Sequence, residues 1–550
     1  MKRNRKGQAA VLAYLTVVVL TVLGGALLNQ TFSNSRHSQI QQQQAEIFYL
    51  AEGGVEDAIS QFSQAIANFQ VTANTSCYPN PPTCTPIVTT FTSGGSASSV
   101  ISEAEATPRT VADPDGTSVF VKNYHITTTV QHPNNSSVRV TLHQLVARRI
   151  IYTFQHAVFY DGDLEWLPGR DMTLSGRVHS NSDMYLGANT ILTIDSGYVK
   201  SAGKIFNQRK DDNTVPPGTV QIKNASTGVY VAMAGLDSNS PTWTTDSQTR
   251  WGGVTVPSTV QSDVHGVTKR AVPVVGSTQP GGFYDTNANL KVTNDPIDPT
   301  KCLIKENGTT LTEGVSIPFG TCTSTTTLYN NREGKTIKMT ELDVAKLGGG
   351  TYSGVTYPNH MPTNGLIYAT RNDATSSQQP GVRLINGSQI NSSVGLTLAS
   401  NDPVYIKGNF NTTSWKPTAI IGDAVNLLST NWSDANSSSS LSSRVPTSTT
   451  VNAAFVAGIN TTTTGHYNGG LENYPRLHEA WTSSTTLSIR GSFVSLWNSQ
   501  IATGNWVYGG SYYTAPTRAW TYETSFSDGT HLPPFTPYAV EMKKGAWWKQ

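Results

Sequence analysis

The sequence predicts a mainly β protein that begins with one long α-helix and continues as a β-solenoid-like body, a parallel β-helix. Three observations predict it. Residues 7 to 35, GQAAVLAYLTVVVLTVLGGALLNQTFSNS, carry no charged side chain and follow KRNRK, which holds four cations in five residues. Residues 45 to 69 place Ile47, Ala51, Val55, Ala58, Phe62, Ile66 and Phe69 at spacings of three and four, one apolar face of a helix. Further on, short bursts rich in Val, Ile, Thr and aromatic residues alternate with Gly, Asn, Ser and Asp, as strands joined by turns do.

The first element is a membrane span over residues 9–28. From Ala9 through Leu12, Leu15, Val18 and Leu23 to Leu28 the chain runs apolar for 20 residues, and a helix of that length spans roughly 30 Å, the hydrocarbon thickness of a bilayer. Lys2, Arg3, Arg5 and Lys6 should stay cytoplasmic by the positive-inside rule, with everything after Asn29 on the far side. A cleaved secretory signal is the alternative. Its apolar centre would be roughly 7–15 residues long, and Gly24-Gly25-Ala26 is the only weak cleavage site here. The polar stretch Arg36 to Gln44 is rich in glutamine and lacks proline, so it favours helix. One nearly continuous helix is therefore predicted from about Ala9 to Phe69, half in lipid and half packed on a soluble domain.

A short basic leader ending in glycine, followed at once by a long apolar helix with an amphipathic second half, resembles type IV pilin and pseudopilin precursors. The run AEIFYLAEGGVEDAI is similar to the segment after the membrane helix in PilX-like minor pilins. The resemblance implies a prepilin peptidase that cuts after Gly7 and leaves Gln8 as the mature amino terminus. It also implies a pilin-like α+β first domain, an inner-membrane location, other pilins or pseudopilins as partners, and a bulk that is periplasmic or on the cell surface. One position departs from the pattern. Most major pilins carry glutamate at the fifth mature residue, where this chain has Leu12. An unpaired charge in low dielectric costs several kcal/mol, so a subunit lacking the acid that offsets a neighbour's amino terminus suits a filament's end better than its shaft. A plain membrane anchor stays open.

Composition bounds the rest. Taking the four leader cations from 38 leaves 34 basic against 36 acidic residues, so the exported part is nearly neutral. It has no basic stripe for phosphate backbones, and nucleic acid is not expected as a partner. Only 13% of residues are charged, which fits a β-rich exported protein. Of the four cysteines, Cys77 and Cys84 bracket YPNPPT, and Cys302 and Cys322 bracket turn signals at Asn307-Gly308. Both spacings allow local disulfides, each stabilising by about 3 kcal/mol on the loop-entropy model, and local bridges fit an oxidising compartment. Zinc is the other use of cysteine, but the chain has no CxxC pair and no histidine at ligand spacing.

After the helix, 119–131 and 138–160 read as strands separated by the turn HPNNSS at 132–137. This places residues 1–7 as leader and 8–155 as the first domain. Residues 156–210 then form a first β-rich part and 361–550 a second, with short strands that read as a sandwich or as solenoid coils, the latter favoured by their Gly- and Asn-rich turns. Residues 211–360 read as an insertion whose one short helix is Thr340 to Leu347. The region from about 365 to 540 also resembles uncharacterised bacterial proteins with PilX-like amino termini, and that resemblance implies no chemistry and no cofactor.

Catalytic patterns are sparse. Asp161, Asp163 and Glu165 in YDGDLEW alternate, so on a strand all three would share a face and could flank a glycosidic bond or hold calcium. Acids beside glycine more often cap turns. Glu472 and Arg476 are expected to pair, ordering GGLENYPR. Trp166, Trp432, Trp481, Trp497, Trp506 and Trp520 would stack on sugars if exposed, but large aromatics more often pack cores. No Walker loop, HExxH, dinucleotide fingerprint or GxSxG elbow occurs. A non-enzymatic structural subunit is the expectation, with a surface-glycan-binding adhesin and a β-helical hydrolase as the other two hypotheses.

Overall fold

The computed structural model describes residues 5–550 other than 296–297, 299–300, 315, 318, 322–327 and 507–511. Helix α1, Arg5–Ala67, has 63 residues and is about 95 Å long at 1.5 Å per residue. It starts earlier than the apolar run because Arg and Lys are themselves good helix formers. It ends through a paired terminus: Phe69 N–H donates to Ile66 O at 3.0 Å and Gln70 N–H to Ala65 O at 2.9 Å, with Phe69 left-handed at φ 59°. A bulky residue is strained there, and its ring is held by stacking on Phe283, centroids 3.7 Å apart.

The second half of α1 lies across an antiparallel sheet. Its long members are Ser96–Glu103, Ser118–His132 and Asn135–Tyr152, close to the two strands read from alternation. Two corrections follow from pairing. The strand expected to run to residue 160 stops at Tyr152, and after a short 3-10 turn Val158–Tyr160 enters a different sheet. The last strand, Tyr538–Lys549, assigned by sequence to the C-terminal domain, instead pairs antiparallel with Asn135–Tyr152 and completes the first sheet.

The body is built of stacked short strands in mixed sheets. In its largest sheet Val158, Val178 and Val199 stand in parallel register, and Val158 also faces Phe493. From there Ala454–Ala457, Thr418–Gly422, Leu396–Ala399, Leu366–Thr370 and Leu290–Asn294 continue in parallel, until Cys302–Glu306 and Thr309–Gly314 close the sheet with antiparallel pairs. A second ladder runs in parallel through Lys335–Asp343, Gln378–Ile385, Val404–Lys407, Val425–Leu428 and Pro475–Leu477. The two β-rich parts on either side of residues 211–360 thus abut directly at Val158 and Phe493.

Residues 211–360 are less separate than their sequence suggests. Thr219–Lys223, Val260–Gln261, Leu290–Asn294 and Lys335–Asp343 all extend parallel ladders of the body. The helix expected over 340–347 shrinks to Val344–Leu347, because Ile337, Met339 and Leu342 are buried along a strand and Asp343 then caps the turn by accepting from Lys346 N–H at 3.1 Å. Two further helices, Trp243–Trp251 and Phe283–Asn287, were not legible, being short and mostly polar.

One buried acid in the body makes its stability depend on pH. Asp402 has no solvent exposure and accepts from Arg371 N–H at 2.7 Å. Burial, with a smaller push from Asp423, raises its carboxyl to about 7. A raised folded value means the contribution is fully present below the unfolded carboxylate value, about 4, and is lost as pH rises through about 7. Relative to Asp402→Asn, the natural protein is therefore expected to lose unfolding midpoint between about pH 5 and about pH 8. Parallel thermal melts of the two proteins check this, and an unchanged difference would refute it.

Candidate functional site: the helix and its seat

Helix α1 has two halves with opposite surroundings. Among the described residues it is the one helix long and apolar enough to cross a membrane. Leu12 is 70% exposed and Leu28 60%, and Leu15, Val18 and Leu23 are exposed as well. Gly7, Gln8 and Ala9 are exposed in its first turns, while Lys2 and Arg3 of the expected leader lie outside the described residues. The first acid in the chain is Glu46, so no carboxylate stands anywhere along the apolar half.

From Ile47 onward the helix is seated. Ile47, Ala51, Val55, Ala58, Phe62 and Ile66 are buried against Ile101, Tyr124, Ile126, Val140, Val146 and Ile150, as their three-and-four spacing requires. Phe62 has no exposure and meets the Tyr124 ring edge-on at 4.8 Å. Tyr124 in turn donates its hydroxyl to Thr75 O at 2.7 Å, and burial pushes that hydroxyl up to about 12. Beside it the buried Lys122 pairs with Glu103 at 2.7 Å and donates to Asn74 O and Thr75 O. Polar contacts mark the rim: Asn135 donates to Gln43 at 2.9 Å, and Lys544 of the last strand pairs with Glu56. At the helix end the Tyr538 hydroxyl donates to Ile66 O at 3.1 Å.

Sequence reasoning missed this polar ring beneath the helix. The alternation of 119–131 does put Lys122 and Tyr124 on the same face as Ile126, but their depth depends on a partner at Thr75 that no local pattern reveals. Gly54 marks the closest approach. A Cβ there would stand 2.4 Å from Ala97 Cβ and 3.0 Å from Thr128 Cγ2. Alanine gains about 1 kcal/mol in helix propensity, but overpacking costs about 1–3 kcal/mol, so Gly54→Ala is expected to lower stability, as a denaturant melt of the full chain would show.

Other predicted residues scatter. Cys77 and Cys84 form a disulfide. Cys302 is buried and disulfide-bonded, and Cys322 lies outside the described residues. Asp161 and Asp163 sit in a turn and only Glu165 lies within a strand, Leu164–Trp166, so the three do not share a strand face. Asp161 accepts from Asn181 at 2.8 Å, and Asp163 from Ser182 at 2.5 Å and Lys210 at 2.8 Å. Among the described residues no three His, Cys, Asp or Glu side chains converge as a metal would need. The expected pair of Glu472 and Arg476 does not form either. Arg476 reaches Glu333 at 2.5 Å, and Glu472 accepts from Tyr467 Oη at 2.7 Å and Leu167 N–H at 3.1 Å. Trp166, Trp432, Trp481 and Trp520 are buried in core clusters, so they offer no stacking platform.

No family model matches the chain, and no curated protein matches it. Among solved structures it is similar to the competence-associated pilin ComZ from Thermus thermophilus, at 11% identity and a TM-score of 0.30, over 92% of this chain and 97% of that one.

Proposed function

We propose that the chain is a structural minor-pilin-like or pseudopilin-like subunit, held in the inner membrane by residues 9–28 and assembling with other pilins or pseudopilins through α1. A prepilin peptidase would cut between Gly7 and Gln8. The β-rich body would be carried outside, its repeated parallel registers supporting a solenoid interrupted by antiparallel pairs. The protein acts by assembly and carries out no reaction.

The observation that carries this reading is the divided helix. Its second half is buried on its own sheet, whereas its first half presents Val11, Leu12, Leu15, Val17, Val19, Leu20, Val22 and Leu23 to the surroundings. Each such side chain loses about 1.5–3 kcal/mol if left in water, and none of the described residues covers them. Lipid covers them before assembly and neighbouring helices afterwards. The absence of an acid at Leu12 suits a place at a filament's end, where no preceding amino terminus needs neutralising.

Gly7→Lys should leave the leader in place, and a cysteine introduced at Leu15 should cross-link to other pilins in membranes of the native host. Both can be read by mass spectrometry of the amino terminus and of the cross-linked species. A chain recovered in the soluble fraction, or one that never cross-links to any pilin, would refute the proposal.

A further inference from the structure

Glu165 leaves the DGDLE run to join a different group. It is 7% exposed; the Thr462 side chain hydrogen-bonds its carboxyl, and its Oε2 has no hydrogen-bond partner. Asp211 Oδ1 and Asn468 Oδ1 also have none, on residues 8% and 9% exposed. The loop from residue 461 to 472 ties these segments together. Gly465 N–H donates to Asp211 O at 3.3 Å, and Asn468 N–H donates to Thr462 Oγ1 at 3.1 Å. Gly470 lies so close that a Cβ on it would stand 2.7 Å from Glu165 O.

Orphaned buried acceptors are costly, about 1–3 kcal/mol each and more when charged. Here three of them lie on segments that these contacts hold side by side. Of the cations beside the group, Lys210 is engaged by Asp163 at 2.8 Å and Arg332 donates to the main-chain oxygens of Gly504 and Asn468 at 2.8 and 3.3 Å, while the neighbouring Glu472 is satisfied by Tyr467 and Leu167. A buried, oxygen-only group with two carboxyls matches a hard dication in donor type. The absence of three converging His, Cys, Asp or Glu side chains among the described residues argues against a zinc-type set. It leaves room for a mixed one of carboxylates, amide and main-chain carbonyls, such as calcium accepts.

We propose that Glu165, Asp211 and Asn468 bind a calcium ion that pins the loop 461–472 to the strand Leu164–Trp166. Its affinity should fall in the range of extracellular modules, about 10⁻⁴–10⁻³ M. The test uses the full chain in detergent micelles, stripped with EDTA and titrated with calcium or magnesium chloride while the thermal midpoint and calcium binding are followed. Calcium should raise the midpoint and magnesium should do so far less. Glu165→Gln combined with Asp211→Asn should weaken calcium binding at least about tenfold, a loss of about 1.4 kcal/mol. In EDTA that double variant should melt no lower than the natural protein, since it has lost two buried carboxyls with an unpartnered oxygen; a purely structural role would lower it in EDTA too. Asn468→Ala is the second variant should the first fail to fold, and it too should bind more weakly. A natural protein indifferent to calcium at ten times the upper affinity bound, or variants that bind it undiminished, would overturn the proposal.

Discussion

Glu333→Ala is expected to destabilise the body by about 3–5 kcal/mol, the cost of leaving a buried charge without its partner. The Glu333 and Arg476 side chains are 2% and 4% exposed. Besides Arg476, Glu333 accepts from Gly504 N–H at 2.8 Å and from Gln379 at 3.2 Å. It also offsets Arg332, whose guanidinium is pushed down to about 9 by burial and by the neighbouring Arg476. Removing this carboxylate would leave the two guanidinium groups hydrogen-bonded, among the described residues, to main-chain carbonyls: Ala502 O for Arg476, and Gly504 O at 2.8 Å and Asn468 O at 3.3 Å for Arg332. Glu341→Ala is the comparison. Its partner Arg383 keeps Asp434 at 2.7 Å, and Glu341 is 24% exposed, so the loss there should stay within about 1 kcal/mol. Denaturant unfolding of both variants decides the matter, and equal losses would show that the Arg476 site is not the linchpin its burial indicates.

Phe62→Ala should cost about 3–5 kcal/mol through the cavity it opens, and the effect should be confined to the seat of α1. The ring is wholly buried, 4.8 Å from Tyr124 and 5.5 Å from Tyr78. Losing it would loosen residues 47–67 from the sheet, while the exposed residues 9–28, which make no contribution to that core, should still insert in a membrane. Hydrogen exchange should therefore rise over 47–67, with the chain still recovered in the membrane fraction. Leu15→Ala, on the exposed half, should leave exchange over 47–67 unchanged. If Phe62→Ala leaves that protection intact, the helix is not held by this contact.

The amount that could be read from the sequence followed the range of the interactions. The apolar run 9–28, the three-and-four spacing of Ile47 to Ile66 and the alternation of 119–131 are set by near neighbours, and the structure has a helix over the first two and a strand, Ser118–His132, over the third. The Cys77 to Cys84 bridge closes a short loop and was legible for the same reason. The pairing of Tyr538–Lys549 with the first sheet was not, because a strand's alternation tells which face is buried but not which edge it joins. The same holds for Val158 beside Phe493: strands of three residues carry too little pattern to choose among many similar partners.

The acids show the limit most clearly. Glu472 and Arg476 stand four residues apart, and spacing alone favours a pair. The chain turns between them through a 3-10 segment into the strand Pro475–Leu477, which sends Arg476 to Glu333, 143 residues away. Asp161, Asp163 and Glu165 separate because the strand starts at Leu164 and not at Tyr160.

By itself, the sequence determined that a long helix leads the chain, that its first half is long and apolar enough to cross a membrane, and that strands follow. Hydrophobic periodicity and charge exclusion act locally, so composition and spacing suffice to state them. Only the tertiary structure decided which strands neighbour one another, that the chain's end returns to the helix-bearing sheet, and where each buried charge finds its partner. Those outcomes depend on register and desolvation across hundreds of residues, and no short window of sequence contains both sides of such a contact.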